Sequence, residues 1–137
     1  MGWVLGILAV ICLVLAIYLL LLIRLESAAV SRLPLLKNDP AGFTAYWENK
    51  YKKMRLRQRK NVALFLVAVG LYRQGLYSEA MERLRFVRKN DPALDQDAVN
   101  ALWHILLMKL DRGDESIAFY QEHAASIERG KDSPWMK

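Results

Sequence analysis

Two histidines, His104 and His123, are the side chains of this 137-residue chain best suited to proton transfer or metal ligation near neutral pH. Their spacing assembles no recognisable site. Neither stands in an HExxH pattern, and the single cysteine, Cys12, lies inside an apolar run, so no intrachain disulfide, CxxC pair or thiolate cage can form. Asp111, Asp114 and Glu115 form an acidic group, but they flank a helix boundary, where carboxylates favour the positive end of the following helix, and they lack EF-hand spacing. The nucleotide signatures GxxxxGKS/T and GxGxxG and the nucleophile elbow GxSxG are also missing. The sequence therefore predicts no catalytic residue, no metal site and no cofactor, with packing or surface roles for both histidines.

A different chemistry is offered by "KYKKMRLRQRK", residues 50–60, where Lys50, Lys52, Lys53, Arg55, Arg57, Arg59 and Lys60 put seven basic side chains in eleven positions. Residues 1–60 carry ten Lys/Arg against three Asp/Glu, whereas residues 61–137 carry ten against eleven, so the net charge of +6 belongs to the first part of the chain. A solvated helix face is the ordinary use of such a run. Attraction to anionic lipid headgroups is the functional one, because each basic residue near a membrane surface contributes about 1 kcal/mol. Nucleic acid is not expected as a partner, since charge supplies affinity without identity and a neighbouring membrane anchor accounts for the run more simply.

That anchor is "WVLGILAVICLVLAIYLLLLI", Trp3 to Ile23, 21 residues without a charge. At about 1.5 Å per residue it matches a hydrocarbon core of roughly 30 Å. A cleaved signal peptide competes with this reading, since Ser27, Ala28 and Ala29 resemble a cleavage site, but the basic n-region is missing and the apolar run is too long. Arg24, Arg32, Lys37 and the 50–60 run all follow the span, so the positive-inside rule predicts a cytoplasmic carboxyl-terminal domain and an outside amino terminus. Residues 1–24 are thus read as the anchor and 25–39 as a juxtamembrane linker.

The remainder reads as all-α. Asp39-Pro40 is an N-cap followed by proline at the first helical position, opening a basic amphipathic helix over 40–60 with Phe43, Trp47 and Tyr51 as its packing residues. "NVALFLVAVGLYRQ" stops at Gly75, Ser78 can cap "EAMERLRFVRK", and Asn90-Asp91-Pro92 breaks the chain. "DAVNALWHILLMKL" stops at Gly113 and "DESIAFYQEHAASIER" stops before Gly130, leaving 131–137 as a tail. Short links between these segments imply antiparallel helical hairpins over 61–130, and no strand-like alternation is present.

The spacing over residues 61–94 resembles a tetratricopeptide repeat, whose pattern of large, small and aromatic slots meets Leu64, Val67, Ala68, Leu71, Ala80, Leu84 and Pro92 here. Gly75 and Tyr77 supply the turn in "GLYSEA". The unit is divergent, because the family's Trp, Tyr and Phe slots hold aliphatic residues. A fainter second copy places "GDESIA", Gly113 to Ala118, on "GLYSEA" at a separation of 38, which brings Leu102, Ile105, Leu106 and Ala125 onto the repeat slots and Lys109 onto the aromatic one. Two such units are fewer than a self-sufficient stack needs, so the helix from Pro40 or self-association must supply a further layer.

The resemblance implies a peptide-binding groove along the first helix of each hairpin, which here would present Phe65, Val69, Tyr72, Arg73, Asn100, Trp103 and Leu107. Arg73 would suit a carboxylate, and Phe65 and Trp103 would be the aromatic anchors. So apolar a groove needs a cover, and three are available: the helix around Trp47, the tail "SPWMK" with Trp135, or another protein. The function implied is that of a single-pass, non-enzymatic adaptor or assembly factor holding a membrane-associated protein at the cytoplasmic face. The alternative is a small structural subunit of a larger membrane complex.

Overall fold

The structure, a computed structural model, describes residues 2–55, 57–88, 91, 92 and 94–137, and within these describes no side chain at 22, 25–31, 57 or 58. The readings placed on Lys89, Asn90 and the side chains of Arg57, Ser27, Ala28 and Ala29 lie outside that set. The chain divides into two compact units, Met1–Arg32 and Leu33–Lys137.

The first unit is one helix, α1 (Gly2–Ser31). Over Gly2–Leu21 its mean hydropathy is 3.2 and none of it is buried, so it is long and apolar enough to cross a membrane.

The second unit holds α2 (Leu33–Asn38), α3 (Pro40–Lys53), α4 (Arg57–Arg73), α5 (Tyr77–Arg85), α6 (Gln96–Lys109) and α7 (Gly113–Lys131), with no strand among the described residues. The segment read as a linker is therefore largely helical. α1 runs to Ser31, and α2 buries Leu36 to 1 % exposure before Asp39 N–H closes it on Leu35 O at 2.6 Å.

Asp39 then caps α3 as expected, its Oδ1 accepting from Gly42 N–H at 3.0 Å with Pro40 in the first turn. The helix does not continue to Lys60. It ends at Met54, which is extended (φ −74°, ψ 137°), and α4 starts afresh at Arg57. Packing requires the break: a Cβ added at Gly70 would collide with Thr44 Oγ1 and sit 3.2 Å from the Phe43 ring, so α3 lies directly on α4. One continuous helix would hold Phe43 and Gly70 about 40 Å apart at ~1.5 Å per residue. With α3 on one side and α5 and α6 also packing on it, α4 is buried at every residue from Ala63 to Leu71.

Two matching turns define the hairpins. In the first, Leu76 N–H reaches Leu71 O and Gly75 N–H reaches Tyr72 O, both at 3.0 Å, with Gly75 left-handed at φ 79°. In the second, Arg112 N–H reaches Leu107 O at 3.0 Å and Asp111 N–H reaches Met108 O at 3.2 Å, with Asp111 left-handed at φ 61°. Each partner in the second turn lies 36 positions after its counterpart, Asp111 standing for Gly75 and Leu107 for Leu71. The expected separation of 38 is therefore corrected by two residues. Gly113 answers to Tyr77, not Gly75, and the second turn spends an aspartate where the first spends the glycine that such a backbone favours.

Two caps also differ from expectation. α5 begins at Tyr77 with Leu76 in the cap position, so Ser78 lies within the first turn and makes no capping bond. α7 does not stop before Gly130 but includes it, because that glycine faces the Asp97 carbonyl of α6 at a separation no side chain would allow. α7 is kinked at His123 (φ −125°, ψ 22°). Between the hairpins, buried Asn61 clamps the α5–α6 connection: its Oδ1 accepts from Arg88 N–H at 2.6 Å, and its Nδ2 donates to Arg88 O and Asp91 Oδ2 at 3.0 Å.

Candidate functional site

The groove inferred from the family resemblance is not an open surface. Phe65, Val69 and Leu107 are 2, 0 and 1 % exposed, so they are core residues and cannot line a docking site. Arg73 turns to the chain's own tail, Nη2 donating to Trp135 O at 3.2 Å, and its plane lies 5.9 Å from the Tyr72 ring. Asn100 Nδ2 donates to Ser126 Oγ at 2.9 Å, within the second hairpin. Tyr72 stacks near Tyr77 at 6.0 Å, and Trp103 is half-buried. Two of the three candidate covers are therefore in place. Phe43 stands 6.4 Å from Trp47 and 6.3 Å from Trp135, joining α3 and the tail into one aromatic layer.

The seven residues also do not share a face. With the hairpins matched at 36 positions, Phe65, Val69, Tyr72 and Arg73 correspond to Ala101, Ile105, Met108 and Lys109, whereas Asn100, Trp103 and Leu107 correspond to Leu64, Val67 and Leu71. A slip of two residues turns a helix by about 200°.

The corrected match exposes a polar replacement. Ala68 and Ala80, both 0 % exposed, let α4 and α5 approach; their counterparts are His104 and Ser116, 7 and 3 % exposed. His104 Nδ1 lies 3.3 Å from Ser116 Oγ, and the imidazole stacks on Tyr120 at 5.2 Å. Tyr120 Oη donates to Glu128 Oε1 at 2.9 Å, and Lys131 Nζ reaches the same oxygen at 3.1 Å. Burial holds the His104 pKa below its ordinary value, with Lys131 adding to the effect, so the ring is neutral at pH 7 and meets Ser116 as one half of a neutral hydrogen-bonded pair. Glu128 is held low, first by the Tyr120 hydroxyl and then by Lys131, while the same bond raises Tyr120.

This predicts a specific pH dependence. The unfolded chain protonates His104 near 6.5 while the folded chain does so only at lower pH, so stability should fall as pH drops through about 6.5 and level off below the folded value. Asp97, held low by Arg129 and then by Ser126, and Glu128 lose their contributions as pH falls toward and below their ordinary values of 3.8 and 4.5, so the His104 variant separates the histidine's share from theirs. Urea unfolding of His104→Gln across the window should show a flatter slope than wild type; an unchanged slope would remove His104 from the account.

Over this pair lies a shallow, open depression of about 360 Å³ lined by His104, Met108, Ser116, Ile117, Tyr120 and Gln121. Its rim is apolar and open: Met108 is 53 % and Ile117 59 % exposed. Ile117 is the counterpart of Met81, which is 2 % exposed beneath the second hairpin, with Arg112 Nη1 3.2 Å from its sulfur. Tyr120 is likewise the half-exposed counterpart of buried Leu84. The outer side of α7 is therefore the face that a following hairpin would cover. Reasoning from the sequence missed it because the two-residue slip placed Ala118, exposed here, in the buried small slot that Ser116 fills. Asp111, at the end of α6 with the tolerance of aspartate for a left-handed backbone, was the signal that would have found it.

The basic residues fall on both sides of the helix break. Lys50, Lys52 and Lys53 end α3, Arg55 lies in the break, and Arg59 and Lys60 sit in the first turn of α4. Lys50 and Lys60 lie over the rings of Tyr46 and Tyr51, at 5.6 and 5.4 Å. Lys50, Lys53, Met54, Arg55 and Arg59 line a cleft of about 280 Å³. Among the described residues no group of three or more His, Cys, Asp or Glu is placed to hold a metal ion. No protein-family model, curated protein or solved structure matches the chain.

Proposed function

We propose that this chain is a membrane-anchored adaptor or assembly factor, acting by binding and not by catalysis, and that its docking surface is the uncovered outer side of α7. The carrying observation is the contrast between equivalent positions: Met81 at 2 % and Ile117 at 59 % exposure. On the first hairpin this face is covered by a helix, α6, so the partner element that suits the second is an amphipathic helix laying apolar residues against Met108, Ile117 and Tyr120. The likeness to tetratricopeptide repeats belongs to this proposal, supported by two hairpins whose turns repeat at 36 positions against about 34 in that family. A cytoplasmic place for the helical unit is supported by the basic residues that follow the span. Protease added to the outer face of sealed vesicles should then leave that unit intact.

The test is a mild-detergent pull-down from the native membrane with wild type, Met108→Glu and Ile117→Glu. Both side chains are exposed, so the variants should keep the wild-type circular dichroism spectrum. The adaptor reading expects a companion that is released reversibly, leaves a folded protein behind, and is lost from both variants. A companion separable only by unfolding, and retained by both, would favour the structural-subunit alternative instead.

A further inference from the structure

The cleft at the α3–α4 break carries an assignment of its own. Residues 49–60 contain no acidic side chain, and the nearest one before them, Glu48, is taken by Arg83 Nη2 at 2.5 Å. Among the described residues none of Lys50, Lys53, Arg55 or Arg59 forms an ion pair. Four like charges around one concavity repel one another, and an anion between them turns each repulsion into an attraction. One donor is already withdrawn from water: Arg59 Nε is buried and has no acceptor among the described residues. A buried donor left unmatched is costly.

The number and kind of donors select the anion. A carboxylate offers two oxygens, whereas four cationic residues lining one cleft suit the three or four oxygens of a phosphate, with which the arginine fork pairs geometrically. The cleft, of about 280 Å³ and open to solvent, has room for a phosphate with part of its hydration. We infer that the cleft formed by Lys50, Lys53, Arg55 and Arg59 is a binding site for a phosphate group, carried either by a lipid headgroup or by a soluble phosphate compound. This narrows the lipid attraction of the whole basic run to four of its side chains. It stands apart from the adaptor reading, and only its lipid arm rests on α1 lying in a bilayer.

The experiment follows thermal unfolding of the full chain by tryptophan fluorescence in two settings. In mild detergent, inorganic phosphate is compared with acetate and chloride at matched ionic strength. In nanodiscs, phosphatidylcholine alone is compared with phosphatidylcholine containing phosphatidic acid. The variants are Arg59→Gln, Arg55→Gln and Lys52→Gln. Arg55 is exposed, so its variant carries the test should Arg59→Gln misfold, and Lys52 is the exposed cation outside the cleft. The expected result is a rise in midpoint specific to phosphate, with apparent affinity weakened about tenfold or more by the cleft variants and little changed by Lys52→Gln. A rise with inorganic phosphate assigns a soluble ligand; one seen only with phosphatidic acid assigns a headgroup. Stabilisation by neither, or an equal loss in Lys52→Gln, overturns the site and leaves diffuse surface charge, without touching the pull-down outcome.

Discussion

Trp47→Ala is expected to destabilise the Leu33–Lys137 unit by about 3–5 kcal/mol, the range found when a fully buried aromatic is removed. Trp47 is 0 % exposed and stands in the layer that joins α3 to α4, edge-on to Tyr46 at 5.1 Å and 6.4 Å from Phe43. Without it α3 loses its main purchase, and Phe43, which also reaches Trp135 of the tail, loses a neighbour. Typical domains of this size are stable by about 5–15 kcal/mol, so the loss is a large share of the total. Trp47→Phe should cost much less. The indole Nε1 is buried without a hydrogen-bond partner among the described residues, and removing that unmatched donor offsets part of the lost volume. Urea titrations of both variants measure the difference; equal losses would mean that the indole nitrogen finds a partner in solution.

The second large effect has a sign that helix propensity alone gets wrong. Glycine to alanine inside a helix ordinarily gains about 1 kcal/mol. At Gly130 the same change should cost about 1–3 kcal/mol, because the new Cβ would collide with the Asp97 carbonyl and come within 2.8 Å of Ala101 Cβ. A carbonyl fixed in α6 cannot swing aside as a flexible side chain would. α7 must therefore lift, straining the bonds from Arg129 Nε and Ser126 Oγ to Asp97 at 2.9 and 2.6 Å. Gly113→Ala is the control, since nothing lies within 4 Å of its added Cβ. Thermal unfolding should rank Gly113→Ala at or above wild type and Gly130→Ala well below; similar midpoints for the two would remove the close α6–α7 crossing.

Both effects bear on what could be read from residues alone. The apolar helix at the amino terminus, the all-α composition, the Asp39-Pro40 start and the turn at Gly75 each rest on local chemistry, and local chemistry survives folding. Phe43 and Trp47 were legible as packing residues because, four positions apart, they fall on one side of the helix with Tyr46 and Tyr51. The break at Met54 was not, because residues 50–60 contain no glycine or proline and the chain turns there only to bring α3 back onto α4. Register failed for a related reason. Gly113 advertises a turn, yet the backbone spends its left-handed residue on Asp111, and the two-residue slip carried half of the supposed groove to the opposite side of its helix. The open side of α7 became visible only when Met81 and Ile117 could be set against each other in the folded unit.

The central claim is that this open side holds another protein's helix at the membrane. Its most direct measurement places a photo-crosslinking amino acid at position 117 of the full chain in its native membrane, with position 108 on the same rim and positions 85 and 132, exposed elsewhere, as controls. The account predicts adducts with one discrete polypeptide at 117 and 108 and not at the controls. No adduct at 117 and 108, or the same adducts at all four positions, would contradict it.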